Sequence, residues 1–333
     1  MMNGSAILAV HHPVGVFSRR HRLRFVEVLP WAGAVACYFA FPDYLALGAQ
    51  ILATILFALS LDLILGYAGI VTLGHAAFFG AGAYAAGLAA SHGWHEPLSG
   101  LVIAALAAGA VGLASGLVVL RTQGLPLLML TLVTAEMLKE AANKATAITG
   151  GADGLQGMVV GSIFGRFSFD LYGQTAYVYC LAVLLVGWWV ARRIVHSSFG
   201  RALTGVRENV VRMRAIGAPV FRHRVVIYTI SAAMAGVSGA LIAQTTQFVG
   251  LESLSFERSG IILIMLILGG VGRLYGAFIG VPLYMVAQDR FAQADPIYWY
   301  FWIGMLLVVI VVFARGGLLG TAERLRHRLV RPP

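Results

Sequence analysis

A chain of 333 residues that is 59% hydrophobic and only 11% charged, with a mean hydropathy of +0.83, falls far below the roughly 25% charged content of soluble domains and reads as an integral membrane protein. Its net charge of +10 is carried mostly between or outside the apolar runs, so membrane orientation accounts for it better than nucleic-acid binding. The two cysteines, Cys37 and Cys180, both lie inside apolar runs without a CxxC, which argues against a disulfide framework or a zinc site.

A spanning helix needs roughly 20 apolar residues. In chain order the runs predict helices over 29–46, 49–66, 70–91, 98–120, 124–143, 174–192, 225–248, 257–271, 275–289 and 297–315. The two short runs between 257 and 289 read as broken or re-entrant, because "LGGVGRLYGAFIG" (Leu268–Gly280) interrupts them with glycines and Arg273. Such backbone survives at membrane depth only when buried in protein or lining water. Ahead of the first run, Arg19, Arg20, Arg22 and Arg24 precede no clear small-x-small cleavage site, so this segment is not a cleavable signal.

Arg19–Arg24, Arg121, the stretch from Arg192 to Arg224 and the tail from Arg315 to Arg331 belong to the cytoplasm by the positive-inside rule. Both termini are then cytoplasmic and the number of spans is even. Ten satisfies every assignment, and eight follows if the broken segment is a re-entrant pair. The expected fold is an all-α, polytopic transmembrane helical bundle of about eight to ten spans. Residues 1–28 form a basic cytoplasmic segment, 29–315 the transmembrane domain with its largest loop at about 196–224, and 316–333 a basic tail. Ser91–Pro97, Thr146–Asp170 and Phe248–Gly260 face outward, and none is long enough for a catalytic domain.

Three stretches carry the remaining signal. "GYAGIVTLGHAAFFGAGAYAAGL" (Gly66–Leu88) holds Gly66, Gly69, Gly74, Gly80 and Gly82, small residues that let helix backbones approach closely. Its His75 is either a hydrogen-bonded packing residue or a substrate ligand. Asp62, just before it, is either a buried membrane carboxylate with a partner or near water, or a residue close to the cytoplasmic end of its span. In "RTQGLPLLMLTLVTAEMLKEAANKA" (Arg121–Ala145), Thr131, Thr134, Glu136, Glu140 and Lys144 recur at helical spacing. This stripe lines a substrate path, or only its threonines are deep and the charged residues emerge outside.

The third stretch runs from Ser197 to Leu241. Within it "RENVVRMRAIGAP" has helical composition and stops at Gly217 and Pro219. A short amphipathic helix there suits docking into a groove of a soluble partner, or attachment to anionic lipid through Arg207, Arg212, Arg214, Arg222 and Arg224. No G-x-x-x-x-G-K-[ST], H-E-x-x-H or G-x-S-x-G occurs, so ATP-driven transport would need its nucleotide hydrolysed on another polypeptide.

The ordered set "LDLILGYAGIVTLGHAAFFGAGAYAAG", "LMLTLVTAEML", "TGGADGL", "FGRALTGVRENVVRMRAIG" and "LGGVGRLYGAFIG" resembles the LivM-type permeases of branched-chain amino acid ABC importers, over about residues 45–315. The resemblance implies a subunit of the bacterial inner membrane that pairs with a second, LivH-like permease. Two cytoplasmic ATP-binding subunits would use the ATP, no cofactor would be bound by this chain, and a periplasmic binding protein would deliver a branched-chain amino acid.

The family's coupling region falls on about 198–219, here on Arg201, Arg207, Glu208, Asn209, Arg212, Arg214 and Gly217, which favours ATPase docking over lipid attachment. The wording "ENVVRMRAIGA" departs from the more acidic, alanine-rich stretch usual there. The path candidates are Asp62, His75, Thr131, Thr134 and Glu136. Urea, short amides or small aromatic or carboxylate solutes are alternative cargoes. A channel and a membrane-embedded enzyme built on Asp62, His75 and Glu136 are the remote alternatives.

Overall fold

The structure, a computed structural model, describes residues 29–162, 173–313 and 317–320. Among them it is helical with no strand, only an isolated bridge between Leu155 and Val249. The main helices are α1 (Leu29–Ala40), α2 (Leu45–Asp62), α3 (Ala76–Ser91), α4 (Pro97–Val119), α5 (Leu125–Lys144), α6 (Gln174–His196), α7 (Ser198–Glu208), α8 (Val210–Ala215), α9 (Val220–Thr246), α10 (Phe256–Gly269), α11 (Gly276–Ala294) and α12 (Trp299–Phe313). Apart from the short pair α7 and α8, each matches one predicted run.

Four stretches are long and apolar enough to cross a membrane: Pro42–Tyr67, which contains α2, and helices α4, α6 and α9. Helices α1 and α3 and Trp299–Val309 of α12 are shorter apolar helices. The expected all-helical transmembrane bundle is therefore the observed architecture. Expectations on residues 1–28, 163–172, 314–316 and 321–333 lie outside the described residues.

Boundaries shift where local chemistry demands it. The first run was expected to continue to 46, but α1 stops at Ala40, because Phe41 precedes Pro42 and takes a non-helical backbone (φ −132°). A 3₁₀ turn, Pro42–Tyr44, then feeds α2 at Leu45. The third run was expected from 70, but α3 begins at Ala76. Gly69, at φ +67°, breaks the helix, and residues 68–75 form an irregular segment that buries Ala68, Ile70, Thr72, Gly74 and His75 and leaves Gly69 and Val71 exposed. Side chains satisfy part of its backbone: Thr131 Oγ1 accepts from the Leu73 amide (3.3 Å) and Thr72 Oγ1 from the Gly74 amide (3.2 Å). Enclosure by protein is what permits irregular backbone there.

The core is organised around α9, which packs along α2, α3 and α4. A Cβ at Gly82 would lie 2.6 Å from the Gly236 carbonyl carbon, so α3 and α9 touch backbone to backbone, as small-residue pairs allow in membranes. Ser231 Oγ donates to the Ser60 carbonyl and Ser238 Oγ to the Ala53 carbonyl (2.7 Å), stitching α9 to α2. Helices α10 and α11 form a tight hairpin across residues 270–275, with Gly270 and Gly272 at φ +117° and +76°. The glycine-interrupted run is thus broken at that turn.

Candidate functional site

Two polar regions stand apart from the apolar core. The first sits at the end of the bundle that carries α7, α8 and the 270–275 turn. There α2 finishes in a π-turn, Leu63–Tyr67, a distortion that recurs at functional sites. Asp62 is buried, 1% exposed. Its Oδ1 accepts from the Gly272 amide (2.7 Å), and its Oδ2 has no hydrogen-bond partner among the described residues. Arg207, in the last turn of α7, reaches back so that Nη1 donates to the Gly66 carbonyl, and its charge acts on Asp62.

Glycine positions make the room for this. A Cβ at Gly66 would lie 2.6 Å from the Gly272 nitrogen, one at Gly69 2.6 Å from Arg207 Cγ, and one at Gly74 2.9 Å from the Thr131 carbonyl carbon. Gly80 faces Leu254 in the same way, 2.5 Å from its Cγ, as Gly82 faces Gly236.

His75 lies one turn deeper and is fully buried. It stacks on Phe57 (5.3 Å, 5°) with Phe78 edge-on (5.8 Å). Ser60 Oγ donates to the Phe57 carbonyl (2.6 Å), so at 2.8 Å from His75 Nε2 it accepts, and the ring carries its proton on Nε2. Nδ1 has no hydrogen-bond partner among the described residues. Thr131 is 2% exposed and holds the 68–75 segment rather than facing open space.

The second region is at mid-height. The segment after α9 was expected to face outward. Instead it runs down the side of α3: Val249 lies near Gly87, and Leu254 lies against Gly80. The Ser259 hydroxyl then accepts from the Ala76 amide (2.9 Å). Leu254 is thus level with Gly80, which lies eleven residues from Ser91, about 16 Å at 1.5 Å per residue. It stands about as far from Tyr67, counting back through Ala76 and the His75–Ser60 contact.

Helix α10 therefore starts near the middle of the bundle, capped by Ser255 Oγ on the Arg258 amide (3.2 Å). Glu252 and Glu257 are exposed here. Arg258 is partly buried, with its guanidinium 4.8 Å from the Phe79 ring centroid, and Glu252 acts on its charge.

Helix α5 flanks this segment. It buries a narrow stripe, Leu127, Thr131 and Ala135, and turns its other faces out. Thr134 bonds its own helix at the Leu130 carbonyl (2.7 Å). Glu136 is exposed and pairs with Lys139 at 3.9 Å. It stands five residues, about 7.5 Å, beyond Thr131, level with Leu254. The exposed charges of α5 and α10 thus share one depth, whereas Asp62 and His75 lie elsewhere, inside the fold. Sequence reasoning missed Glu252, Glu257 and Arg258. The available signal was a 14-residue helix, about 21 Å and too short to span about 30 Å, with Glu257 and Arg258 in its first turn and Glu252 just before it.

Helices α7 and α8 form a two-step ledge. Ser197 caps α7 through the Gly200 amide (3.2 Å) and Asn209 caps α8 through the Arg212 amide (2.8 Å). Helix α7 buries Gly200, Leu203 and Val206 and leaves Arg201 and Glu208 on its exposed side. Helix α8 buries nothing. Val211 and Ile216 are 77% and 71% exposed on either side of Arg212 and Arg214, and Gly217 closes the helix at φ +81°, at the expected stop.

The family described as "branched-chain amino acid transport system / permease component" matches residues 44–311. The chain belongs to this family. It is similar to the high-affinity branched-chain amino acid transport system permease protein LivM of Escherichia coli (strain K12), 29% identical over 84% of this chain and 72% of that protein. LivM of Salmonella typhimurium is 28% identical over the same shares. The autoinducer 2 import system permease protein LsrC of Klebsiella pneumoniae is 34% identical over 30% of each chain. No solved structure matches.

The chain is thus a LivM-type transport permease rather than an enzyme. Every residue of the two polar regions, from Asp62 to Gly272, falls inside the matched range. That range nearly coincides with residues 45–315, over which the sequence resemblance extends.

Proposed function

We propose that this permease is one half of the membrane conduit of an ATP-driven importer for branched-chain amino acids. The observation that carries this reading is the set of ionisable groups at mid-height, Glu136, Lys139, Glu252, Glu257 and Arg258, on or near the surface of the single chain. A charge facing lipid at the bilayer centre costs about 2.5–3.5 kcal/mol or more, and such residues face a bundle interior or a water-filled cavity. This side is therefore covered by a second, LivH-like permease, and the solute path runs between the two. Thr134 and Glu136 line it. His75 and Thr131 are packing residues.

Both signs of charge suit a zwitterionic amino acid better than neutral urea: glutamates meet the ammonium, while Arg258 and the positive N-terminal end of α10 meet the carboxylate. The α7–α8 end, rich in arginine, is cytoplasmic, as are both termini, in a bacterial inner membrane. Val211 and Ile216, ringed by Arg212 and Arg214, seat the ledge in a groove of an ATP-binding subunit. Two such subunits hydrolyse the ATP, this chain binds no cofactor, and a periplasmic binding protein loads the opposite end. The subunits bias the conduit between two openings only through differential affinity for the two states.

Reconstitution with the partner subunits and labelled leucine tests the reading. Glu257→Gln and Arg258→Gln should each lower uptake about ten-fold or more at equal abundance, the loss of a charge-assisted hydrogen bond of about 1.5–3 kcal/mol. Uptake by the lone chain, or undiminished uptake by both variants, refutes it.

A further inference from the structure

We infer that Arg207 is a positioning residue, a latch that ties the α7–α8 ledge to the two membrane segments that must move with it. The inference rests on the reading of that ledge as the ATPase seat. Three parts of the chain, 62–66, 207 and 272, converge on one contact. The Gly66 carbonyl is free to receive Arg207 because α2 does not continue as an α-helix. The Ile70 amide, which would have bonded Gly66, goes instead to the Ile64 carbonyl (2.8 Å).

The slot is shaped to the arginine. A Cβ at Gly69 would lie 2.6 Å from its Cγ, and one at Gly272 would lie 3.3 Å from its Nη1. Behind the slot, Asp62 holds the Gly272 amide with one oxygen, while the other has no hydrogen bond among the described residues.

A buried carboxylate left without a compensating charge is strongly unfavourable. Moving α7 away would strip Arg207 from Gly66 and from the field of Asp62 together, so the end of α2 and the 270–275 turn follow α7 rather than part from it. From that turn, α10 runs its 14 residues, about 21 Å, to Ser255–Arg258 at mid-height. A rigid helix with one end on the latch and the other at the mid-height charges is a physical route for coupling. A displacement of the ledge reaches the solute path through it.

The test uses the assembled transporter in proteoliposomes, reading leucine taken up per ATP hydrolysed. Arg207→Ala should leave the ATP-binding subunits attached, while leucine taken up per ATP hydrolysed falls ten-fold or more. Arg207→Lys, which keeps the charge but not the forked reach, should recover part of it. Asp62→Asn should lower the same ratio, and adding Arg207→Ala to it should cost less than a further two-fold, because both act on one contact.

An unchanged ratio in Arg207→Ala overturns the latch. So do multiplying effects in the double variant, and so does loss of the ATP-binding subunits, which would make Arg207 a docking residue. Failure of the underlying function is distinguishable: the unaltered chain would then bring down no ATP-binding subunit and move no solute, overturning both.

Discussion

The backbone contact between α3 and α9 makes a sharp prediction, because the same substitution can be placed where it clashes and where it does not. A methyl at Gly82 would sit 2.6 Å from the Gly236 carbonyl carbon, about 1 Å inside ordinary carbon contact. The neighbour is main chain, so no rotamer relieves it, and the helices must separate. Overpacking of this kind costs about 1–3 kcal/mol, offset by up to about 1 kcal/mol because alanine favours the helix over glycine.

A methyl at Gly33, in α1, meets nothing within 4 Å and keeps the helix gain alone, about 0.4–1 kcal/mol. Gly82→Ala and Gly33→Ala should therefore differ by about 2 kcal/mol, with thermal midpoints roughly 3 °C apart for a chain of this size. Size-exclusion profiles of the detergent-purified chain after a temperature series measure this. If Gly82→Ala melts at or above Gly33→Ala, the α3–α9 interface is not packed as described.

Three further outcomes follow from individual contacts. Ser238→Ala removes one α9–α2 hydrogen bond and should lower stability by only about 0.6 kcal/mol, the mean for such bonds in membranes; a fall beyond about 2 kcal/mol in the same melting assay would mean the hydroxyl does more than this. His75→Ala empties a site enclosed by Phe57 and Phe78 and should cost about 3 kcal/mol of stability, while the leucine concentration for half-maximal uptake by surviving protein stays unchanged; a large shift in that concentration would make His75 a ligand. Val211→Asp, on the exposed face of α8, should abolish co-purification of the ATP-binding subunits at normal abundance of this chain, and unchanged recovery would move the docking face elsewhere.

Much of this architecture was legible in the sequence because bilayer and backbone both impose it. Apolar runs located the helices, the break at Leu268–Gly280 announced itself through glycines, and Gly217 marked the end of α8. What misled was apolar backbone that is not helical. Ile70, Val71 and Leu73 look like the start of a span, yet they belong to a mostly buried loop whose geometry depends on Thr131, 58 positions away from Leu73.

The candidate site was legible only in part. Glu136 was singled out because it lies on a helical stripe. Glu252, Glu257 and Arg258 were read as outward-facing because their depth is set by tertiary contacts, Leu254 on Gly80 and Ser259 on the Ala76 amide, which no local pattern encodes. The inward reach of Arg207 was hidden for the same reason: its residue type fitted both a docking surface and a lipid surface.

The polar groups of this permease divide into two sets by what completes them. Ser60, His75, Ser231, Ser238 and the pair Asp62–Gly272 are bonded within the chain and fasten α2 to its neighbours. Glu252 and Glu257 are exposed at mid-height. Facing hydrocarbon, two carboxylates would cost about 5–7 kcal/mol, comparable with the 5–15 kcal/mol that holds an ordinary fold together. A sequence that places such groups on a membrane domain's surface does so where another surface and water meet them. Under the function proposed above, the folded chain is one wall of the path, and a second permease supplies the other. Helix α10 belongs to both sets: the turn at its inner end is fastened by the Asp62–Gly272 contact and its outer end carries exposed charge, so under the proposed function the break in this span is where solute path and ledge are joined.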